Sequence, residues 1–154
     1  MSELDWPAVL LELLNTTPVV DGRMIDLLDQ AWLRAHRATG DLDDVQRLRN
    51  DLQRVVRGDI DASVLRRYLV DVRQKPEIGE TGVEWMLEAD WPAHLVLAWG
   101  ELHAEMPGRL RPCANDECRL FLIDRSRSGT ARWCSMSGCG NRMKARRYYR
   151  RAQH

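Results

Sequence analysis

Long apolar runs are the first feature that this sequence lacks. The longest clear run extends only from Leu95 to Trp99, whereas about 20 apolar residues are needed to cross a bilayer. The chain also does not open with the basic, apolar and small-residue segments of a secretory leader. We therefore expect a cytoplasmic protein that has no membrane partner.

Catalytic motifs are also missing. The sequence has no Gly-rich loop before Lys-Ser/Thr, no G-x-S-x-G elbow and no His-Glu-x-x-His. The four histidines are scattered, which is typical of surface or packing residues rather than metal ligands. We expect that the protein is not an enzyme. Four tryptophans are assigned to the core rather than to an effector pocket: Trp32, Trp85, Trp91 and Trp99.

Cysteine is absent from the first 112 residues, and the four cysteines then form two pairs. Cys113 and Cys118 form one C-x4-C pair, fifteen residues separate it from the next, and Cys134 and Cys139 form the second. Two pairs with such a spacer are a zinc pattern, although two residues rather than four usually separate the members of a pair. In a reducing compartment, clustered cysteines are more often metal ligands than disulfide partners.

Four cysteines would complete the tetrahedron that zinc prefers and leave no open position for catalysis. The sequence therefore predicts one structural Zn²⁺, held by Cys113, Cys118, Cys134 and Cys139. The alternative is four buried or reactive thiols without a metal.

The chain has no net charge, but its charge is unevenly distributed. Residues 109–154 contain twelve Lys/Arg and three Asp/Glu, a net charge of +9, while residues 1–108 contain eleven and twenty, a net charge of −9. Such asymmetry predicts a basic tail that faces nucleic acid on an acidic body. Because "MPGRLRP" interrupts the pattern, we predict an acidic α-rich domain at 1–107 and a basic zinc domain at 108–154.

Apolar spacing predicts a mainly α protein with minor β structure. The predicted elements are a helix ending near Asn15, a second that follows an Asp-Gly turn at Asp21 and stops at Gly40, a third from Asp41 to Gly58, a fourth over Ala62–Arg73 closed by Pro76, a short hairpin between Glu77 and Asp90, and a helix over Pro92–Glu105.

The last third predicts a small module of knuckle, hairpin and helix, which resembles treble-clef zinc modules. "RLFLID" supplies a strand, "RSRSGTA" turns the chain back toward Trp133, and helix-forming residues follow Cys139. The predicted module core is Leu110, Leu120, Phe121, Leu122, Ile123, Trp133 and Met143. Because this core is small, zinc should supply much of the folding free energy of the module.

The helix after Cys139 carries two stripes of cations. Like charges four residues apart disfavour an isolated helix, and the planar guanidinium of arginine suits phosphates and guanine edges. The pattern predicts contact with double-stranded DNA through Arg142, Lys144, Arg146, Arg147, Arg150 and Arg151. The alternatives are a solvated helix that offsets the negative zinc-thiolate cluster, or a helix that docks on the acidic body and has to be released before DNA binds.

The segment "CGNR" at Cys139–Arg142, preceded by "RWCSM" and "RLRPC", resembles the signature of the CGNR zinc-finger family of bacterial proteins. The resemblance covers about Gly108 to Arg151. It implies zinc on the same four cysteines and a DNA-binding role. It also implies that Asn141 braces the loop around the metal and that Arg142 faces either DNA or a carbonyl near the metal.

The resemblance further implies an N-terminal ABATE domain, which is assigned to stress-responsive transcription regulators. "LLELLNTTP" resembles the Leu-x-Asn-Thr motif that opens this domain, with Asn15 and Thr16 at the matching positions. These two residues are candidates either for an effector site or for a structural role such as capping.

We expect a bacterial transcription regulator that binds DNA through the zinc module. The alternative is a zinc-stabilised module that docks an acidic protein, and RNA binding comes third. A small-molecule effector of the N-terminal domain and a homo-oligomer are both compatible with the sequence.

Overall fold

The computed structural model describes residues 3–154, which form a mainly helical protein with three small antiparallel hairpins. The α-helices of this part of the chain are α1 (Trp6–Leu14), α2 (Gln30–Ala35), α3 (Leu42–Arg57), α4 (Trp91–Glu105) and α5 (Asn141–Ala152). The paired strands are β1 (Val19–Val20) with β2 (Arg23–Met24), β3 (Arg73–Ile78) with β4 (Val83–Glu88), and β5 (Leu110–Pro112) with β6 (Phe121–Ile123). The mainly α prediction is confirmed. Within residues 3–154, no helix has both the length and the apolar character that crossing a bilayer requires.

Helices α1, α3 and α4 supply most of the apolar core. Asp5 caps α1 by accepting a hydrogen bond from the Ala8 N–H at 3.1 Å, and Asp41 caps α3 in the same way at the Asp44 N–H, at 2.8 Å. Gly58 ends α3 in a left-handed conformation with φ of 78°, which glycine adopts without steric cost. Five leucines of α1 and α3 are fully buried in this core, namely Leu10, Leu13, Leu14, Leu48 and Leu52.

The predicted Asp-Gly turn at Asp21 is confirmed, but the helix predicted to follow it up to Gly40 is wrong in its first half and in its last residues. Asp21 and Gly22 form the turn of the β1–β2 hairpin, and α2 begins only after Asp29, whose carboxylate accepts a hydrogen bond from the Trp32 N–H at 2.8 Å. The apolar spacing predicted a helix here, but Asp26 lies in the loop between β2 and α2 because two hydrogen bonds from Arg49 of α3 hold it there. A tertiary ion pair therefore outweighs the local helical pattern.

The predicted helix over Ala62–Arg73 is shorter than expected and has 3₁₀ geometry, with bounds Ala62–Tyr68. The Tyr68 hydroxyl donates a 2.7 Å hydrogen bond to Asp51 of α3, and beyond Tyr68 the chain extends into β3. Pro76 lies inside this strand instead of closing a helix. The predicted hairpin is present but begins earlier, at Arg73. Trp85, which we assigned to the core, is instead exposed on β4.

The β5–β6 hairpin connects the cysteine-containing segment to the helical body. Phe121 in β6 is 1% exposed and belongs to the same apolar core as the leucines of α1 and α3. The predicted strand in "RLFLID" is confirmed, but it pairs with β5, which precedes the first cysteine, rather than with the chain returning at Trp133. The prediction that the module has its own core is therefore wrong at Phe121. The domain boundary at Gly108 stays a prediction.

Candidate metal centre

Two loops bring the four predicted cysteines together. Cys113 and Cys118 lie between β5 and β6, while Cys134 and Cys139 lie immediately before α5. Their Sγ atoms are all within 4.8 Å of one another, with Cys134 Sγ 3.7 Å from that of Cys118 and 3.6 Å from that of Cys139. A tetrahedral zinc ion with Zn–S distances of about 2.3 Å requires sulfur atoms about 3.8 Å apart. The four sulfur atoms therefore fit a zinc ion.

The second cysteine pair is held at the start of α5, as predicted. Ser135 accepts a hydrogen bond from the Gly138 N–H at 3.0 Å and so caps a single π-helical turn, Met136–Gly140, which leads directly into the helix. Gly140 is closely surrounded: a Cβ at this position would lie 3.1 Å from the Met136 sulfur. Asn141 donates a 3.4 Å hydrogen bond to the Ser137 carbonyl, which agrees with the predicted bracing role.

Nitrogen donors surround the sulfur atoms. The Asn115 side-chain amide lies 3.4 Å from Cys139 Sγ, and the Cys134 and Leu120 backbone N–H groups lie 3.3 Å and 3.5 Å from the sulfurs of Cys113 and Cys118. Such donors orient metal ligands and spread their negative charge. Asn115 is 1% exposed, and our sequence analysis did not identify it. Its position two residues after Cys113, inside the ligand loop, is the only signal that the sequence offers.

The ionisation of the thiols also fits a bound cation. Burial raises the pKa of Cys118 to about 11 and raises that of Cys134 as well. Burial acts on Cys139 in the same direction, but the Asn115 amide and the neighbouring thiols outweigh it, so the pKa of this thiol lies below its usual value. Because two of the four thiols resist ionisation alone, four thiolates at this spacing require a positive ion among them. The four cysteines form one structural zinc site.

A buried carboxylate, Asp124, fixes the loop between the two cysteine pairs. It accepts hydrogen bonds from the Ser126 and Ala131 N–H groups at 2.9 Å and 3.1 Å, and it forms an ion pair with Arg111. Hydrogen bonding by Ser126, helped by the Arg111 guanidinium, lowers the pKa of Asp124. Arg109 lies on the other side, 3.7 Å away. The sequence pattern did not identify this residue as functional, although it is the only acidic residue between Arg119 and Arg132.

The predicted DNA-contacting cations do not share one environment. Helix α5 has no buried residue, and five of its cations are exposed and make no ion pair with any described residue: Arg142, Lys144, Arg147, Arg150 and Arg151. Arg146 differs, because it forms an ion pair with Glu117 in the first cysteine loop. Glu117 belongs to the zinc module, so this contact is not the predicted docking of α5 on the acidic body.

Asn15 and Thr16 both have structural partners. The Asn15 side chain donates to the Phe121 carbonyl at 3.2 Å and accepts from the Phe121 N–H at 2.7 Å, so it joins the end of α1 to β6. Thr16 is 2% exposed, donates to the Leu13 carbonyl and accepts from Arg49. These contacts favour the structural alternative over the effector site.

A second link joins α3 to the same strand. The Arg57 guanidinium lies 4.4 Å from the centroid of the Phe121 ring and donates a 3.0 Å hydrogen bond to the Arg119 carbonyl. Burial, together with the nearby Arg119 charge, lowers the pKa of Arg57. The zinc module therefore contacts the body through a buried ring, an amide and a guanidinium.

Comparison with known proteins agrees with this geometry at the C-terminal end. No curated protein matches the chain. Residues 109–152, which include β5, β6, the four clustered cysteines and α5, match the model of the CGNR zinc finger family.

Proposed function

We propose that this protein binds double-stranded DNA through α5 and acts as a bacterial transcription regulator. The observation that supports the proposal is a helix without a buried residue that follows directly from a structural zinc site and carries five cations that are unpaired within residues 3–154. Because the zinc ligands hold the first turn of the helix, these cations extend from a fixed point. The four thiolates would also occupy all zinc positions, so we propose a binding role rather than a catalytic one.

The dimensions of α5 suit the DNA major groove. Its twelve residues correspond to a length of about 18 Å, and the groove is about 12 Å wide and admits one α-helix. Phosphates on both strands would lie beside such a helix, where Lys and Arg displace counterions and strengthen binding. Arginine forks can also form paired hydrogen bonds with guanine.

The cations of α5 should contribute unequally. Arg146 is already paired with Glu117, so it contributes less to phosphate binding than an unpaired neighbour. Arg147 is exposed and follows it directly in sequence. The two residues therefore form a matched pair with the same charge on the same helix, and only Arg146 has an ion-pair partner among the described residues.

We expect Arg147→Gln to reduce the slope of log affinity against log salt by about 0.9 on random duplex DNA, the value for one lost phosphate contact. Arg146→Gln should change this slope less. The measurement is fluorescence anisotropy of labelled duplex from low to moderate salt, with the zinc content of each variant checked first. Duplex binding that does not depend on salt would contradict the proposal, as would equal slopes in wild type and Arg147→Gln.

The exposed tyrosines of α5 favour the alternative that the zinc module docks an acidic protein. Tyr148 and Tyr149 are 70% and 66% exposed and contact each other edge to face, and exposed aromatic residues are enriched at protein interfaces. An acidic protein and a single-stranded RNA therefore belong in the same assay. Tighter binding to the acidic protein than to duplex DNA would support a zinc-stabilised interaction module instead, and tighter binding to RNA would support an RNA-binding role.

The N-terminal assignment is part of the same proposal. We propose that residues 1–107 form an ABATE-like domain, supported by the Leu-x-Asn-Thr match at Asn15 and Thr16. In this view the domain holds the zinc module in place through the contact between Asn15 and Phe121.

A further inference from the structure

The β3–β4 ribbon is the most exposed apolar element in the described part of the chain. All residues of both strands are exposed. A two-stranded ribbon is at best marginally stable in water unless a helix or another sheet covers one of its faces. The ribbon therefore lacks a covering partner among residues 3–154.

The two faces of the ribbon differ sharply in chemistry. Residues directly opposite each other on antiparallel strands lie on the same face, and successive residues alternate between the faces. One face carries Gln74 with Leu87, Pro76 with Trp85, and Ile78 with Val83. The other face carries Arg73 with Glu88, Lys75 with Met86, and Glu77 with Glu84.

The apolar face offers an area comparable to that of a small protein interface. Ile78 is 84% exposed, Trp85 63%, Val83 59% and Leu87 43%. With roughly 200 Å² for a fully exposed large side chain, the four residues present on the order of 500 Å². Two such faces in contact would bury about 1,000 Å², the lower limit for a specific interface.

The charged face and the edge of β3 restrict what can cover the ribbon. The charged face has two cations and three carboxylates, with Lys75 3.9 Å from Glu77, so it does not attract a strongly charged partner. The Gly79 N–H donates to the Gly82 carbonyl. Successive backbone nitrogens of an antiparallel strand point alternately toward and away from the paired strand, so the Pro76 nitrogen, three residues before Gly79, points away from β4. Proline there removes an outward donor and so disfavours addition of another strand.

We propose that the apolar face of the ribbon packs against the same face of a second copy of this chain. Such a two-fold interface is self-complementary and closed. The row containing Pro76 and Trp85 lies in the middle of the face, so a two-fold axis there brings the tryptophans of both copies together. The ribbon is separate from the zinc module, and the inference does not depend on DNA binding.

The test is sedimentation equilibrium of the full-length protein across a range of concentrations. We expect wild type to dimerise in a concentration-dependent way, and Trp85→Glu to weaken dimerisation about tenfold or more, as for a residue central to an interface. Ile78→Asp is a second variant on the same face. Met86→Glu is the matched control, because Met86 is 47% exposed but lies on the opposite face.

Circular dichroism and zinc content should be the same in all four proteins, since every altered side chain is exposed. Three results would overturn the proposal. These are a wild-type protein that stays monomeric up to about 1 mM, a dimer that Trp85→Glu and Ile78→Asp leave unchanged, and a dimer that Met86→Glu weakens as much as they do.

Discussion

At the scale of single residues, Asn115 is a buried side chain that connects the first cysteine loop to the sulfur cluster. Its amide donates to Cys139 Sγ, its oxygen accepts from the Glu117 N–H at 3.2 Å, and the side chain is almost fully buried. The amide therefore holds the ligand loop in shape and also stabilises a thiolate. Cysteine spacing predicts the metal ligands. It does not predict Asn115, because this residue acts through Cys139, which is 24 positions away in the sequence.

Asn115→Asp should lower zinc affinity by about 10–100-fold, the usual effect of losing a residue that supports a metal ligand. The new carboxylate would face a thiolate and remove its donor. Competition with a chromophoric chelator measures the change, and Asp116→Asn, at the exposed neighbouring position, serves as the control. Equal affinities for Asn115→Asp and wild type would show that the amide does not support the site.

At the scale of elements, the helices differ in what holds them. Helices α1, α3 and α4 share a continuous apolar core, whereas α5 has no buried residue and follows directly from the turn that contains Cys139. An isolated helix of twelve residues is marginal in water, and the like charges of α5 weaken it further. The order of α5 therefore depends on the metal site.

Removal of zinc by a chelator should unfold α5 and the preceding turn while α1, α3 and α4 stay folded. Hydrogen exchange followed by mass spectrometry would show amides of residues 134–152 losing protection, with little change in residues 42–57. Adding back zinc should restore the protection. Loss of protection throughout the chain would mean instead that the body also requires the metal.

The sequence predicts those elements whose determinants are local. The caps Asp5 and Asp41, together with regular apolar spacing, identify α1 and α3. Prediction from the sequence fails where a residue distant in the sequence determines the local structure. Arg49, for example, holds Asp26 in a loop inside the predicted second helix. Asp124 was missed for a similar reason, because its guanidinium partners become apparent only when β5 and β6 pair.

At the scale of the whole molecule, one strand joins the two regions of opposite charge. Phe121 is buried in the core formed by α1 and α3, Asn15 bonds to its backbone, and Arg57 covers its ring. The +9 and −9 regions therefore meet through an apolar ring, an amide and one guanidinium rather than through an array of ion pairs. This arrangement leaves most α5 cations unpaired.

Asn15→Leu should lower the free energy of unfolding by about 1–3 kcal/mol, because the N–H and carbonyl of Phe121 would lose their partners in a partly buried place. Urea denaturation of the zinc-loaded protein measures the change. Asn15→Asp, which keeps the acceptor and loses the donor, should be intermediate. If Asn15→Leu were as stable as wild type, the amide would not be a significant link.

The position of Phe121 also bears on transfer of the finger to other proteins. A zinc finger that encloses its own apolar residues can be transferred to another protein and still fold. Here the ring that completes the finger is enclosed by helices from the first sixty residues. A chimera that carried only residues 109–152 would present that ring to solvent, so a graft has to include a host surface shaped to receive it.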